Sequence, residues 1–120
     1  MPKQVFNKLV RDGIPAELKR KGIAFGTRTL EGDEFTKALL QKLSEEATEL
    51  RSAGESVLGN PPSKTTLHQV LVELADLQEV MEAVCERLGV DPKLVAEVRA
   101  KKLAERSGAK NGIFLEWTQE

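Results

Sequence analysis

Apolar residues recur at helical spacing in two long stretches of this chain. Phe35, Leu39, Leu43, Ala47 and Leu50 return every three or four positions, which writes one buried stripe on a helix from about Asp33 to Ala53. Asp33 is placed to cap it and Gly54 to end it. A wider stripe follows over about 64–88, built from Leu67, Val70, Leu71, Leu74, Leu77, Val80, Met81, Val84 and Leu88. Ser63 can cap that helix and Gly89 can stop it. The stretch 54–63 between the two is rich in Gly, Pro and Ser and reads as a loop. Asp91 and Pro92 then give a third helix its cap and first-turn proline, with an end near Ser107-Gly108. A short helix opens at Pro15 and closes at Gly22.

The ends lack helical period. Residues 5–11 alternate loosely, as a short strand or an extended arm; 23–30 is extended, with Gly26, Thr27 and Thr29 opposing helix; Gly112–Trp117 is strand-like. The expected architecture is mainly all-α: an antiparallel helical bundle with short extended or strand segments at both ends, in one domain over 1–120. The apolar faces are too wide for the helices to cover one another in a single copy. A homodimer or higher homo-oligomer is therefore expected to complete the bundle.

Composition narrows the class. With 40% hydrophobic and 31% charged residues the chain is expected to be globular. No run of 18 apolar residues is present, so no membrane partner is expected. The start, Met1-Pro2-Lys3-Gln4-Val5, lacks the apolar segment of a secretory leader, and one cysteine, Cys85, fits a reducing cytoplasm. Cys85 lies by the apolar stripe and is expected to pack. The single histidine, His68, has no companion for a zinc site. No Walker A sequence is present.

Charge is segregated, although the net is only −1. Residues 1–30 carry seven bases against two acids, 31–86 twelve acids against four bases, and 87–120 seven bases against five acids. An acidic centre between basic ends is poor material for stable nucleic-acid binding. It suits a metal held centrally and phosphates gripped from both sides.

The acids are placed for that work. Glu45-Glu46-Ala47-Thr48-Glu49 and Glu73-Leu74-Ala75-Asp76 each aim carboxylates along one helix face. At about 100° per residue, Glu46 projects between Phe35, Leu39 and Leu50, and Glu73 beside Leu77 and Val80. Glu49 and Asp76 border their stripes. A carboxylate facing the core is unfavourable by several kcal/mol, roughly, unless it is paired or metal-bound. A hard divalent cation such as Mg²⁺ is the natural partner; buried ion pairs to Lys102 or Arg106 are the alternative. Asp12 and Gly13 read as a turn. Trp117 is expected to pack in the terminal strand, with base stacking as the other option.

These clusters resemble those of the all-α nucleoside triphosphate pyrophosphohydrolases of the MazG type, with E-E-x-x-E on one helix and E-x-x-D on the next. The opening Asn7-Lys8-Leu9-Val10-Arg11-Asp12-Gly13-Ile14-Pro15 is similar to the N-K-L-V-R-D-x-I-P start of a subgroup described as related to phosphoribosyl-ATP pyrophosphohydrolase. Lys102-x-x-x-Arg106 followed by Gly112-Ile113 resembles that subgroup's tail, but its R-G-G-F stands here as Arg106-Ser107-Gly108-Ala109. The resemblance implies a MazG-like bundle that hydrolyses the α–β phosphoanhydride of a nucleotide to a monophosphate and pyrophosphate, as house-cleaning of non-canonical nucleotides. It implies Mg²⁺, with Mn²⁺ able to stand in, on Glu46, Glu49, Glu73 and Asp76. Glu45 would be a further ligand or would orient the attacking water together with Glu46. Lys8, Arg11, Lys102 and Arg106, joined by Arg99, are the implied phosphate contacts, and Asn7 an implied contact to base or sugar. Phosphoribosyl-ATP hydrolysis in histidine biosynthesis is an alternative with the same chemistry. A helical dimerisation module whose acidic face binds a basic partner is the alternative without catalysis.

Overall fold

The computed structural model describes residues 2–59 and 61–120. Four helices follow one another: α1 (Ile14–Arg20), α2 (Gly32–Glu55), α3 (Lys64–Leu88) and α4 (Pro92–Arg106). The chain is all-helical among the described residues.

The stop and start signals act mostly where the sequence places them. Ser63 closes a reciprocal capping box with Thr66, each side chain meeting the other's backbone N–H. Gly89 takes the left-handed conformation, φ 69°, that ends α3 at low cost because it has no Cβ. Asp91 Oδ1 accepts from the Lys93 N–H at 2.9 Å, and Pro92 opens α4. Two signals act elsewhere. Asp33 is not the cap of α2; with Glu34 it lies in the first turn, where an acid favours the helix through its dipole. Gly54 does not end α2, which runs one residue further before Ser56 turns the chain. The loop expected over 54–63 includes Asn60, which lies outside the described residues.

The strand expected at 112–117 does not form, and 5–11 follows its extended-arm alternative. Residues 5–11, 23–30 and 112–117 are neither helix nor strand. A strand needs a neighbour to share its backbone hydrogen bonds, and no such ladder forms among the described residues. Arg28 nevertheless ties the second segment to α2 through two 3.0 Å bonds to the Glu34 carboxylate. Trp117 does not pack: it is 73% exposed.

The body of the fold is a hairpin of α2 and α3. It is antiparallel, because the end of α3 meets the start of α2. Arg87 donates to Thr36 Oγ1 and to the Gly32 carbonyl, both at 2.9 Å, and lies 5.0 Å over the Phe35 ring. Leu39, Ala53 and Val80 are the buried apolar residues of the described chain, and Glu73 is buried with them.

So small a core leaves a large surface. The accessible area is 11001 Å², where a compact monomer of this mass exposes about 6,400 Å². The radius of gyration is 18.9 Å, against about 14 Å for a compact domain of this length. Helix α4 buries no residue, and α3 turns a second apolar row, with Leu67, Leu71, Leu74, Met81 and Leu88 each 44–61% exposed, away from α2. No described helix is long and apolar enough to cross a membrane.

Candidate metal centre

Antiparallel pairing puts the latter half of α2 against the first half of α3, so the two acidic clusters meet. Carboxylate oxygens of Glu46, Glu49 and Glu73 lie within 4.8 Å of one another. Glu46 and Glu49 share a face of α2 at one-turn spacing, and Glu73 reaches them from α3.

Glu73 is only 7% exposed. Its Oε1 accepts from Gln69 Nε2 at 2.7 Å, and its Oε2 is buried with no partner. Burial pushes the Glu73 carboxyl above its ordinary range; the adjacent Glu49 charge and that of Asp76 add to the rise, against the Gln69 hydrogen bond. Glu46 repeats the arrangement: Lys42 lies 3.4 Å from Oε1, while Oε2 is buried and unpartnered. Thus each of the two helices contributes to the triad a glutamate that has one buried, unpartnered carboxylate oxygen.

That donor set fits a hard divalent cation. All ligand atoms are carboxylate oxygens, the type that Mg²⁺ and Ca²⁺ prefer. Oxygens on one Mg²⁺ ion lie about 3 Å apart when adjacent and about 4 Å when opposite, so the triad closes on such an ion by drawing inward from its spread of up to 4.8 Å. Glu46 does not pair with Lys102 or Arg106; its cation is Lys42 of the same helix.

The remaining expected residues fall in three places. Asp76 lies outside the triad and accepts from Arg11 Nη2 at 2.7 Å. Arg11 and Lys8 line a cleft of ≈ 220 Å³ with Lys42, Glu46, Asp76 and Glu79, so the N-terminal arm brings two bases to the acidic helices. Asn7, with a left-handed φ of 46°, precedes Lys8 on the arm and is exposed. Glu45 is half-buried, outside both triad and cleft. Lys102 and Arg106 line a different groove along α4, together with Arg99 and no carboxylate. Within one chain they are not brought to the triad's cleft.

Sequence reasoning missed Lys42 and Gln69. Lys42 pairs with Glu46 and donates to the Leu9 carbonyl at 3.1 Å, which pins the arm to α2. Each stands four residues before the glutamate it serves, the one signal that marks them. No family model, curated protein or solved structure matches this chain.

Proposed function

We propose that the chain is a Mg²⁺-dependent nucleotide pyrophosphohydrolase, cleaving the α–β phosphoanhydride of a nucleoside triphosphate to a monophosphate and pyrophosphate. One observation carries this: a buried carboxylate, Glu73, that has an unpartnered oxygen and lies in one cluster with Glu46 and Glu49. A fold that merely tolerated these acids would not leave buried carboxylate oxygens on Glu46 and Glu73 without a partner.

Glu46, Glu49 and Glu73 hold the ion, and Asp76 joins them when Arg11 swings to a phosphate. Bound Mg²⁺ supplies phosphate neutralisation and a lowered pKa for an attacking water. Lys8 and Arg11 receive the phosphates at the cleft, Arg11 by its planar fork. Glu45, half-buried beside Glu46 in sequence, orients the water or extends the ligand set. Asn7 faces the nucleoside end. The active form is a homo-oligomer, supported by the exposed row on α3, whose Leu67, Leu71, Leu74, Met81 and Leu88 keep coiled-coil spacing.

A helical self-association module is the second reading, favoured by the same exposed apolar surface. Product analysis separates the two. The protein is incubated with a panel of nucleoside triphosphates and phosphoribosyl-ATP, each with Mg²⁺ and with EDTA. Monophosphate and pyrophosphate that form only with metal support the hydrolase, and Glu73→Gln should abolish them with the fold retained. Turnover confined to phosphoribosyl-ATP would redirect the substrate. No turnover by folded protein would leave the association module standing, and full turnover by Glu73→Gln would overturn the ligand assignment.

A further inference from the structure

Two surfaces of this chain match each other yet lie apart. The first is the open groove of ≈ 670 Å³ along α4, floored by Leu94, Val95, Val98 and Leu103. These four are 44–56% exposed. The charged residues lining the groove are Arg99, Lys102 and Arg106, all basic. The second is the tail 112–120, with Ile113, Phe114, Leu115 and Trp117 73–88% exposed. Its charged side chains, Glu116 and Glu120, are both acidic.

Shape and length agree as well. The 15 residues of α4 span about 22 Å at the usual helical rise. Nine extended residues reach about 30 Å at most. In an extended tail Ile113, Leu115 and Trp117 share one side, and Glu116 faces the other. No tail residue lines the groove of its own chain, although a turn precedes the tail at 109–111.

We infer that residues 113–117 of one copy dock in the α4 groove of a second copy, with Ile113, Leu115 and Trp117 on the floor and the tail acids beside Arg99, Lys102 and Arg106. This rests on the homo-oligomer of the proposed function and goes beyond it, because it names the segments exchanged. The excess surface leaves ample area for such an exchange. The chain exposes 11001 Å², and the surplus over a compact monomer, about 4,600 Å², exceeds what a flat contact of standard size covers, about 800 Å² per partner. Exchange of tails about a two-fold axis makes the contact twice and closes the assembly. It also gives the α4 bases a counter-charge that no carboxylate of their own groove provides.

Trp117 is the sole tryptophan, so its fluorescence reads the docking directly. The full chain is diluted while its oligomeric state is followed by sedimentation and its emission by fluorescence. The expected result is blue-shifted, iodide-protected emission in the oligomer that reddens in step with dissociation. Val98→Asp, on the groove floor, should redden Trp117 in the oligomer at unchanged helicity. Leu115→Asp, in a segment outside every helix, should do the same with no risk to the helical fold. An oligomer whose Trp117 emits as in solvent would overturn the docking and leave the oligomer standing. Blue emission that persists in the monomer would place the tail in its own groove and overturn it too. A chain that stays monomeric at every concentration would overturn both the docking and the oligomer.

Discussion

Arg11 Nη2 donates to Asp76 Oδ1 at 2.7 Å across 65 residues of sequence. A base expected to grip phosphate is thereby held on an acid expected to bind metal. The two side chains are 56% and 34% exposed, so the pair is screened by solvent and adds about 1 kcal/mol or less to stability. Its importance is in position: it draws the N-terminal arm over the acidic end of the hairpin. Arg11→Ala should therefore change the melting temperature little. Metal-dependent turnover should fall at least about tenfold, the loss expected when one charge-assisted phosphate contact goes. Parallel thermal unfolding and turnover measurements check both, and a large loss of stability with turnover intact would reverse the assignment.

Glu73 gives a pH signature. Its carboxyl is raised above the ordinary value of 4.5, first by burial and then by Glu49. The folded metal-free chain holds this proton more tightly than the unfolded chain does. The ionised group therefore destabilises the fold above its folded pKa, and the penalty fades as pH falls through that value toward 4.5. Glu73→Gln removes the charge, so without metal it should melt a few degrees above wild type at neutral pH, with the gap narrowing on acidification. Millimolar Mg²⁺ should invert the order, stabilising wild type by mass action and the variant not at all. Melting curves at several pH values, with and without Mg²⁺, test the sign directly.

Lys42 serves two structures at once. Its amine lies 3.4 Å from Glu46 Oε1 and donates to the Leu9 carbonyl. Lys42→Ala strips Glu46 of its cation and the arm of its anchor on α2. The expected loss is about 1–3 kcal/mol, that of leaving a largely buried charged partner unsatisfied. Hydrogen exchange should show amides of residues 8–11 exchanging faster while those of α3 are unchanged. Lys42→Met, which keeps the stem's packing and loses the charge, should free the arm equally. An unchanged arm in Lys42→Met would mean that packing rather than the ammonium holds it.

Much of the hairpin was written in local signals. The 3.6-residue period and the Ser63, Gly89 and Asp91 stops act on their own neighbourhood, and each appears where the chain placed it. The approach of Glu46, Glu49 and Glu73 followed too, because one turn between two amphipathic helices leaves little choice but antiparallel pairing. The strand at 112–117 fails for the opposite reason. Alternation at 112–117 describes a chain able to pair as a strand, but pairing depends on a neighbour that local sequence does not reveal. Likewise Lys42 is marked in the sequence only by its four-residue spacing from Glu46; the arm's path over α2 gives it a second bond. The separation of Lys102 and Arg106 from the carboxylates was equally hidden, since i,i+4 spacing fixes a shared face and not what that face meets.

The exposed row on α3 yields the last prediction. Leu71 is 61% and Leu74 44% exposed, while Glu73 between them is buried against α2. One helix thus presents two faces, one toward its own hairpin and one without a partner in the chain. A charge at Leu71 meets nothing inside the hairpin, so Leu71→Glu should leave helicity and the local triad intact. In a homo-oligomer sealed by this row the same charge would be desolvated without a counter-ion, which is unfavourable by several kcal/mol, roughly. The expected outcome is a shift to monomer at concentrations where wild type is associated, read by sedimentation equilibrium. Wild-type association that survives Leu71→Glu unchanged would exclude this face from the interface. If Leu71→Glu also loses Mg²⁺-dependent turnover while still gaining stability from Mg²⁺, the metal triad is complete in one chain and catalysis needs a second. Turnover retained by the monomer would mean that one copy carries every residue the reaction requires.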